Sequence, residues 1–204
     1  MIAAPAALAQ VKWDVAAEAG VVKRFTSGGS AGAASPGVGP GFKVEGHVAL
    51  VPMVRVGPYA AMDLAPSAGT GDGEIGQRNY WEAGLEVRFM PPLLPAPWRT
   101  WAFAGVGYAF TYAESYRAQE VGPLVDGASG GMIDIPLGLG LAYRLGAPWS
   151  LFVDVCARIG AGFHGPMYAG APGVSGGDSA GITPAFAGND SFALSLGVGV
   201  SFDP

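Results

Sequence analysis

From Gly130 to Leu145 the chain reads GGMIDIPLGLGLAYRL, and every second residue separates into two lists. Ile133, Ile135, Leu137, Leu139, Leu141 and Tyr143 form one; Asp134, Pro136, Gly138, Gly140, Ala142 and Arg144 form the other. A period of two is a strand with two unlike faces. The same alternation recurs and predicts strands near residues 10–25, 41–51, 54–65, 79–90, 98–112, 130–145, 150–163 and 191–202. Nothing reads as a long amphipathic helix. The connections run long, short, long, short, long, short, long, with tight turns near Pro52-Met53 and at Gly146-Ala147-Pro148 and a moderate one at PPLLPAP. An up-and-down barrel with its long loops at one end produces that order; a Greek-key sandwich has no reason to. The expected fold class is all-β: an eight-stranded antiparallel up-and-down transmembrane β-barrel.

Three features decide which face is outside. The charged residues fall in one phase: Lys12, Arg24, Lys43, Arg55, Arg88, Arg99, Arg144 and Arg158 on the basic side, Asp14, Glu18, Glu45, Asp63, Glu82, Glu86, Asp134 and Asp154 on the acidic side, with His47 among them. Equal signs permit the pairing that buried charges require. Glycines share that phase, among them Gly84, Gly138, Gly140, Gly197 and Gly199. In an eight-stranded barrel the interior is only wide enough for side chains to fill it, so small residues make room for long ones and for Trp101 and Phe103. The apolar phase carries aromatics at both ends of the strands. With the N-terminus in the periplasm, Trp13, Phe89, Trp98, Tyr143, Trp149 and Phe202 fall at the inner rim, and Phe25, Trp81, Phe110, Tyr112, Phe163 and Phe192 at the outer rim. Two aromatic girdles are expected where a barrel meets the membrane interfaces.

Composition adds to this picture. Half of the 204 residues are apolar and only 13% are charged, against about 25% in a soluble domain. No run of 18 apolar residues occurs, so no transmembrane helix is expected; a barrel needs none. The net charge of −5 argues against nucleic acid as a partner. Cys156, the lone cysteine, reads as a small buried side chain. Ala7-Leu8-Ala9 has a small-x-small cleavage pattern, so residues 1–9 read as the remnant of a secretory signal peptide or as an alanine-rich end, and 10–204 as the barrel.

The penultimate pair IDIPLGLGLAYRLGAPWSLFVDVCARIG and the closing FALSLGVGVSF resemble the last strands of the small outer-membrane β-barrels of the OmpA/OmpX-like, opacity-protein-like superfamily. Members often stop on the final aromatic, whereas Asp203 and Pro204 follow Phe202 here. The resemblance implies the outer membrane of a Gram-negative bacterium, outer-membrane lipids, lipopolysaccharide and the barrel assembly machinery as partners, and a monomer.

Candidate chemistry is sparse. His47 points inward by its phase, and His164 opens the last long loop with no serine placed beside it. No metal or phosphate-loop spacing is present, and no cofactor is expected. In the outer loops Asp72, Glu74, Glu114, Glu120, Asp126, Asp178 and Asp190 outnumber Lys23, Arg78 and Arg117; ordinary solvation accounts for this better than divalent bridges to lipopolysaccharide. The expectation is a non-enzymatic barrel with a charge-plugged lumen, structural or surface-interacting through long loops. A narrow pore for ions or small solutes is the alternative; a lipid-modifying barrel enzyme and a soluble lipocalin-like binder are minor ones.

Overall fold

The computed structural model describes residues 12–27, 37–65, 78–113, 116–117, 124–125, 128–164 and 189–204. Its strands are β1 (Trp13–Ser27), β2 (Val38–Val51), β3 (Val54–Ala65), β4 (Arg78–Phe89), β5 (Trp98–Ala113), β6 (Tyr116–Arg117), β7 (Leu124–Val125), β8 (Ala128–Gly146), β9 (Trp149–His164) and β10 (Asn189–Phe202). The short β6 and β7 pair with each other. The other eight form one closed antiparallel barrel in which β1 pairs with both β2 and β10. The β1–β10 ladder, from Val15–Phe202 to Phe25–Phe192, leaves no free sheet edge.

All eight predicted strands are present in the barrel; β2, β5, β8, β9 and β10 are longer than predicted by one to three residues, and β3 has the predicted bounds. The largest extension is at β2, which starts at Val38 because Val38, Gly39 and Pro40 pair with Lys23, Val22 and Val21 of β1. Pairing in the ladder overrides the turn propensity of that glycine- and proline-rich run. β6 and β7 were not predicted; two residues are too few to show a period. Residues 1–11, including the signal-peptide segment, lie outside the described residues, as do the loop acids Asp72, Glu74, Glu114, Glu120, Asp126 and Asp178.

Apolar side chains cover the exterior: Val21, Leu85, Val106, Leu139, Val155 and Leu196 are all about half or more exposed. Charged ones fill the interior, where Arg24, Asp63, Glu82, Glu86, Asp134 and Asp154 are buried. That inverts a water-soluble domain and suits a wall surrounded by hydrocarbon. At the end with the short turns, Phe202 packs on Trp13 and Trp149 with ring centroids 5.8 and 5.0 Å apart, and Trp98 meets Tyr143 edge-on at 4.9 Å; Phe89 is exposed there too. At the opposite, loop end, Phe25 pairs with Phe192 at 5.7 Å, and Trp81, Phe110 and Tyr112 are exposed. Trp81 to Phe89 on β4 and Trp98 to Phe110 on β5 span roughly 20 and 30 Å along the axis at about 3.3 Å per residue and a 40° tilt, bracketing the ~25 Å apolar band of membrane barrels.

Phe163 corrects the expected outer girdle. It packs against the buried Tyr80, Ala109 and Met132 inside the barrel. The cause is a register shift between the Gly131–His164 and Ile133–Ala161 pairs, where Gly162 has φ of 62°. A bulge adds one residue and flips the phase beyond it, and the left-handed φ favours glycine. The flip turns His164 outward, where Nε2 lies 2.7 Å from the Tyr108 hydroxyl.

Candidate functional site

The lumen is built in layers. Beneath the Tyr80–Ala109–Met132 cap at the loop end, β1, β3, β4 and β9 each point one charged side chain to the axis: Arg24, Asp63, Glu82 and Arg158. Arg24 donates to Asp63 at 2.6 Å and to Glu82, and Arg158 donates to Asp63 at 2.9 Å and lies 3.0 Å from Glu82. Each cation therefore touches both anions. The Arg24 guanidinium also stacks 3.8 Å from the Tyr80 ring centroid.

The middle layer draws on β2 and β4. Lys43 contacts Glu45 at 2.7 Å and Glu86 at 2.8 Å, and Arg88 pairs with Glu45 and with Glu86 at 2.8 Å. His47 places Nδ1 3.0 Å from Asp14 and Nε2 3.0 Å from Glu86. An imidazole serves two carboxylates only with a proton on each nitrogen. Lys43 sits 4.6 Å from the Phe103 ring centroid and Arg88 5.1 Å from Trp101, so the inward aromatics add cation–π contacts. Those rings need the glycines opposite. Trp101 lies across Gly140 and Phe103 across Gly138, their partners in the β5–β8 ladder, where a Cβ would collide with the rings.

Three acids stand apart. Glu18 leans over Gly197, whose ladder partner on β9 is Asp154, so two carboxyl groups converge across one glycine. Among the described residues, Glu18 Oε2 and both Asp154 oxygens lack a hydrogen-bond partner, as do both oxygens of the fully buried Asp134. Two carboxylates have no donor to offer each other, so a bond across that glycine takes a shared proton.

At the turn end lies a different arrangement. Arg55 reaches up to Asp14 and across to Asp203, whose Oδ2 also lies 2.5 Å from Arg99 and 3.7 Å from Arg144. Lys12, Arg99 and Arg144 share the inward phase but stand at the mouth: Lys12 is exposed, and the other two side chains are 30% and 40% exposed. The buried lumen thus holds four basic residues, Arg24, Lys43, Arg88 and Arg158, against seven of the eight predicted acids and His47, while Glu18 and Arg55 are half-buried. The equal count expected along the chain becomes an acidic excess inside and a basic excess at the mouth. Asp203 had no strand phase to reveal it, since it follows the last β-residue.

Glu45, His47 and Glu86 bring potential metal-ligand atoms within 4.8 Å of one another. Lys43 and Arg88 already neutralise both carboxylates, and both His47 ring nitrogens are engaged. A divalent ion would have to displace fixed cations there.

Barrel closure, an apolar exterior, aromatic rims and a charged lumen define the fold as that of a small outer-membrane β-barrel. Solved structures of such barrels match it. A major outer membrane protein from Thermus thermophilus superposes with a TM-score of 0.60 at 18% identity, covering 95% of this chain and 99% of that one. Neisserial surface protein A, NspA, gives 0.59 at 11% identity, covering 94% and 97%. Ail, the attachment invasion locus protein of Yersinia pestis, gives 0.54 at 9% identity, covering 95% and 99%. At these identities the likeness is one of fold. No protein-family profile and no curated protein sequence matches the chain.

Proposed function

We propose that the chain is a monomeric, non-enzymatic barrel of a Gram-negative outer membrane, with a charge-plugged lumen and its long loops turned outward in a structural or surface-interaction role. The carrying observation is the crossing of Arg24 and Arg158 over Asp63 and Glu82. Four strands from around the ring are tied through its centre, which obstructs the axis. Beside that tie, the cavity bounded by Glu18, Lys43, Asp63 and Arg158 holds about 10 Å³, room for about one water. An outward-facing role is in keeping with two proteins that share the fold, one titled a surface protein and the other an attachment invasion locus protein. Membrane lipid, lipopolysaccharide and the barrel assembly machinery are the partners such a role requires.

Planar-bilayer recording tests the plug. The purified barrel should be silent, and Glu86→Ala and Arg158→Ala should each open a measurable conductance. A second reading, a narrow cation-conducting pore, draws on Glu18 Oε2 and the carboxyl oxygens of Asp134 and Asp154, which have no hydrogen-bond partner among the described residues. Steady conductance in the unaltered protein, unchanged by Arg158→Ala, would replace the plug with that pore.

A further inference from the structure

The turn-end mouth has a cavity that the plug does not use. It measures about 690 Å³ and opens between the start of β1, the β2–β3 turn and the β4–β5 connection. That volume lies in the range of small-molecule sites, about 300–1,000 Å³. Lys12, Arg55 and Arg99 line it together with Met90, Leu94 and Trp98. We propose that this vestibule binds a phosphate-class oxyanion.

Three observations converge on that ligand. First, the charge is unbalanced. Arg55, Arg99 and Arg144 all turn to a single oxygen, Asp203 Oδ2, at 3.4, 2.5 and 3.7 Å; Arg55 also holds Asp14, and of the three Arg55 and Arg99 line the cavity. A guanidinium carries five N–H donors, so these carboxylates leave most of the donor set unspent among the described residues. Second, Lys12 lines the same cavity and has no ion-pair partner among the described residues. Third, Asp203 meets Arg55 and Arg99 of the lining, so the protein's own carboxylate shows that these guanidiniums take an oxyanion partner. A phosphate offers more oxygens and more charge than that carboxylate, and guanidinium forks match it in paired hydrogen bonds. The apolar wall of Met90, Leu94 and Trp98 also admits a phosphate carried on an apolar tail. A free phosphate and a lipid headgroup are therefore two sources of one chemistry.

The test uses the full chain folded in an uncharged maltoside detergent at low salt. Calorimetric titration with pyrophosphate probes the free anion. Nanodiscs of phosphatidylglycerol mixed with phosphatidylcholine probe the headgroup, read as phosphatidylglycerol enriched in the lipid retained by the barrel. Binding in either arm, weakened roughly tenfold by Lys12→Gln or Arg99→Gln, supports the site and identifies the source. Asp203→Asn removes the internal competitor and should tighten binding by about the same factor. Lys12 is exposed and has no ion-pair partner among the described residues, so Lys12→Gln should fold; retained heat-shifted gel mobility confirms this for every variant. The site is overturned by either of two results: no heat with pyrophosphate and no phosphatidylglycerol enrichment, or binding that Lys12→Gln and Asp203→Asn leave unchanged.

Discussion

The two ends of the lumen use the same residue types in opposite ways. At the loop end Arg24, Asp63, Glu82 and Arg158 pair two cations with two anions, each side chain no more than 7% exposed. At the turn end Arg99 and Arg144 share one Asp203 with Arg55, which also holds Asp14, and the three arginine side chains are 12% to 40% exposed. Burial and stoichiometry, not residue identity, separate them. In a closed interior every charge must find a partner or a proton, so the first set becomes a tie across the ring. In a wet mouth, water and salt screen the charges, so an excess of arginine persists at little cost and remains open to a ligand.

The contrast breaks most sharply at Arg158. Arg158→Ala leaves Asp63 and Glu82 sharing Arg24 alone, and removing one partner of a buried pair costs about 3–5 kcal/mol. Urea titration of the folded fraction in lipid should show that loss; a cost below about 1 kcal/mol would make the loop-end set no different from the mouth. A charge placed on the other face gives the next scale. Leu85 lies midway between Trp81 and Phe89 and is 58% exposed, so Leu85→Arg should cost about 2–4 kcal/mol in a bilayer. No change in folding yield or stability there would mean that this face does not meet hydrocarbon. Glu18→Gln should move stability the other way. An amide facing Asp154 supplies a hydrogen bond without needing a proton, a gain on the order of 1 kcal/mol at neutral pH, and a loss in the same titration would contradict the converging-carboxyl geometry. Asp203→Asn should change stability least, by less than about 1 kcal/mol after solvent screening. A larger loss would show that the mouth is a structural tie after all.

Alternation along the chain reveals faces but not heights. Trp101 and Phe103 were legible as inward because they share a phase with Gly105 and Gly107, and both are buried in the barrel. Lys12, Arg99 and Arg144 share the inward phase too, yet their position near strand ends leaves them half in water. Height depends on tilt and register, which a single strand does not carry. Phe163 was misread because one bulge at Gly162 reverses the phase, and a glycine in a glycine-rich run gives no warning. Asp203 escaped because it lies past the last alternating residue. The convergence of Glu18 and Asp154 depends on β1 and β9 both flanking β10, a neighbourhood that exists only once the ring has closed.

The rings lying across glycines carry one more consequence, which concerns assembly. A strand can slip against its neighbour by two residues without exchanging its faces, so polarity alone does not prevent that error. Between β5 and β8, such a slip sets Trp101 against Ala142 in one direction, or Phe103 against Pro136 in the other. Either replaces a vacant glycine with a side chain where the ring must lie. The vacancies at Gly138 and Gly140 thus act as a vernier: one alignment seats both rings at once, and the neighbouring alignments leave at least one without a seat.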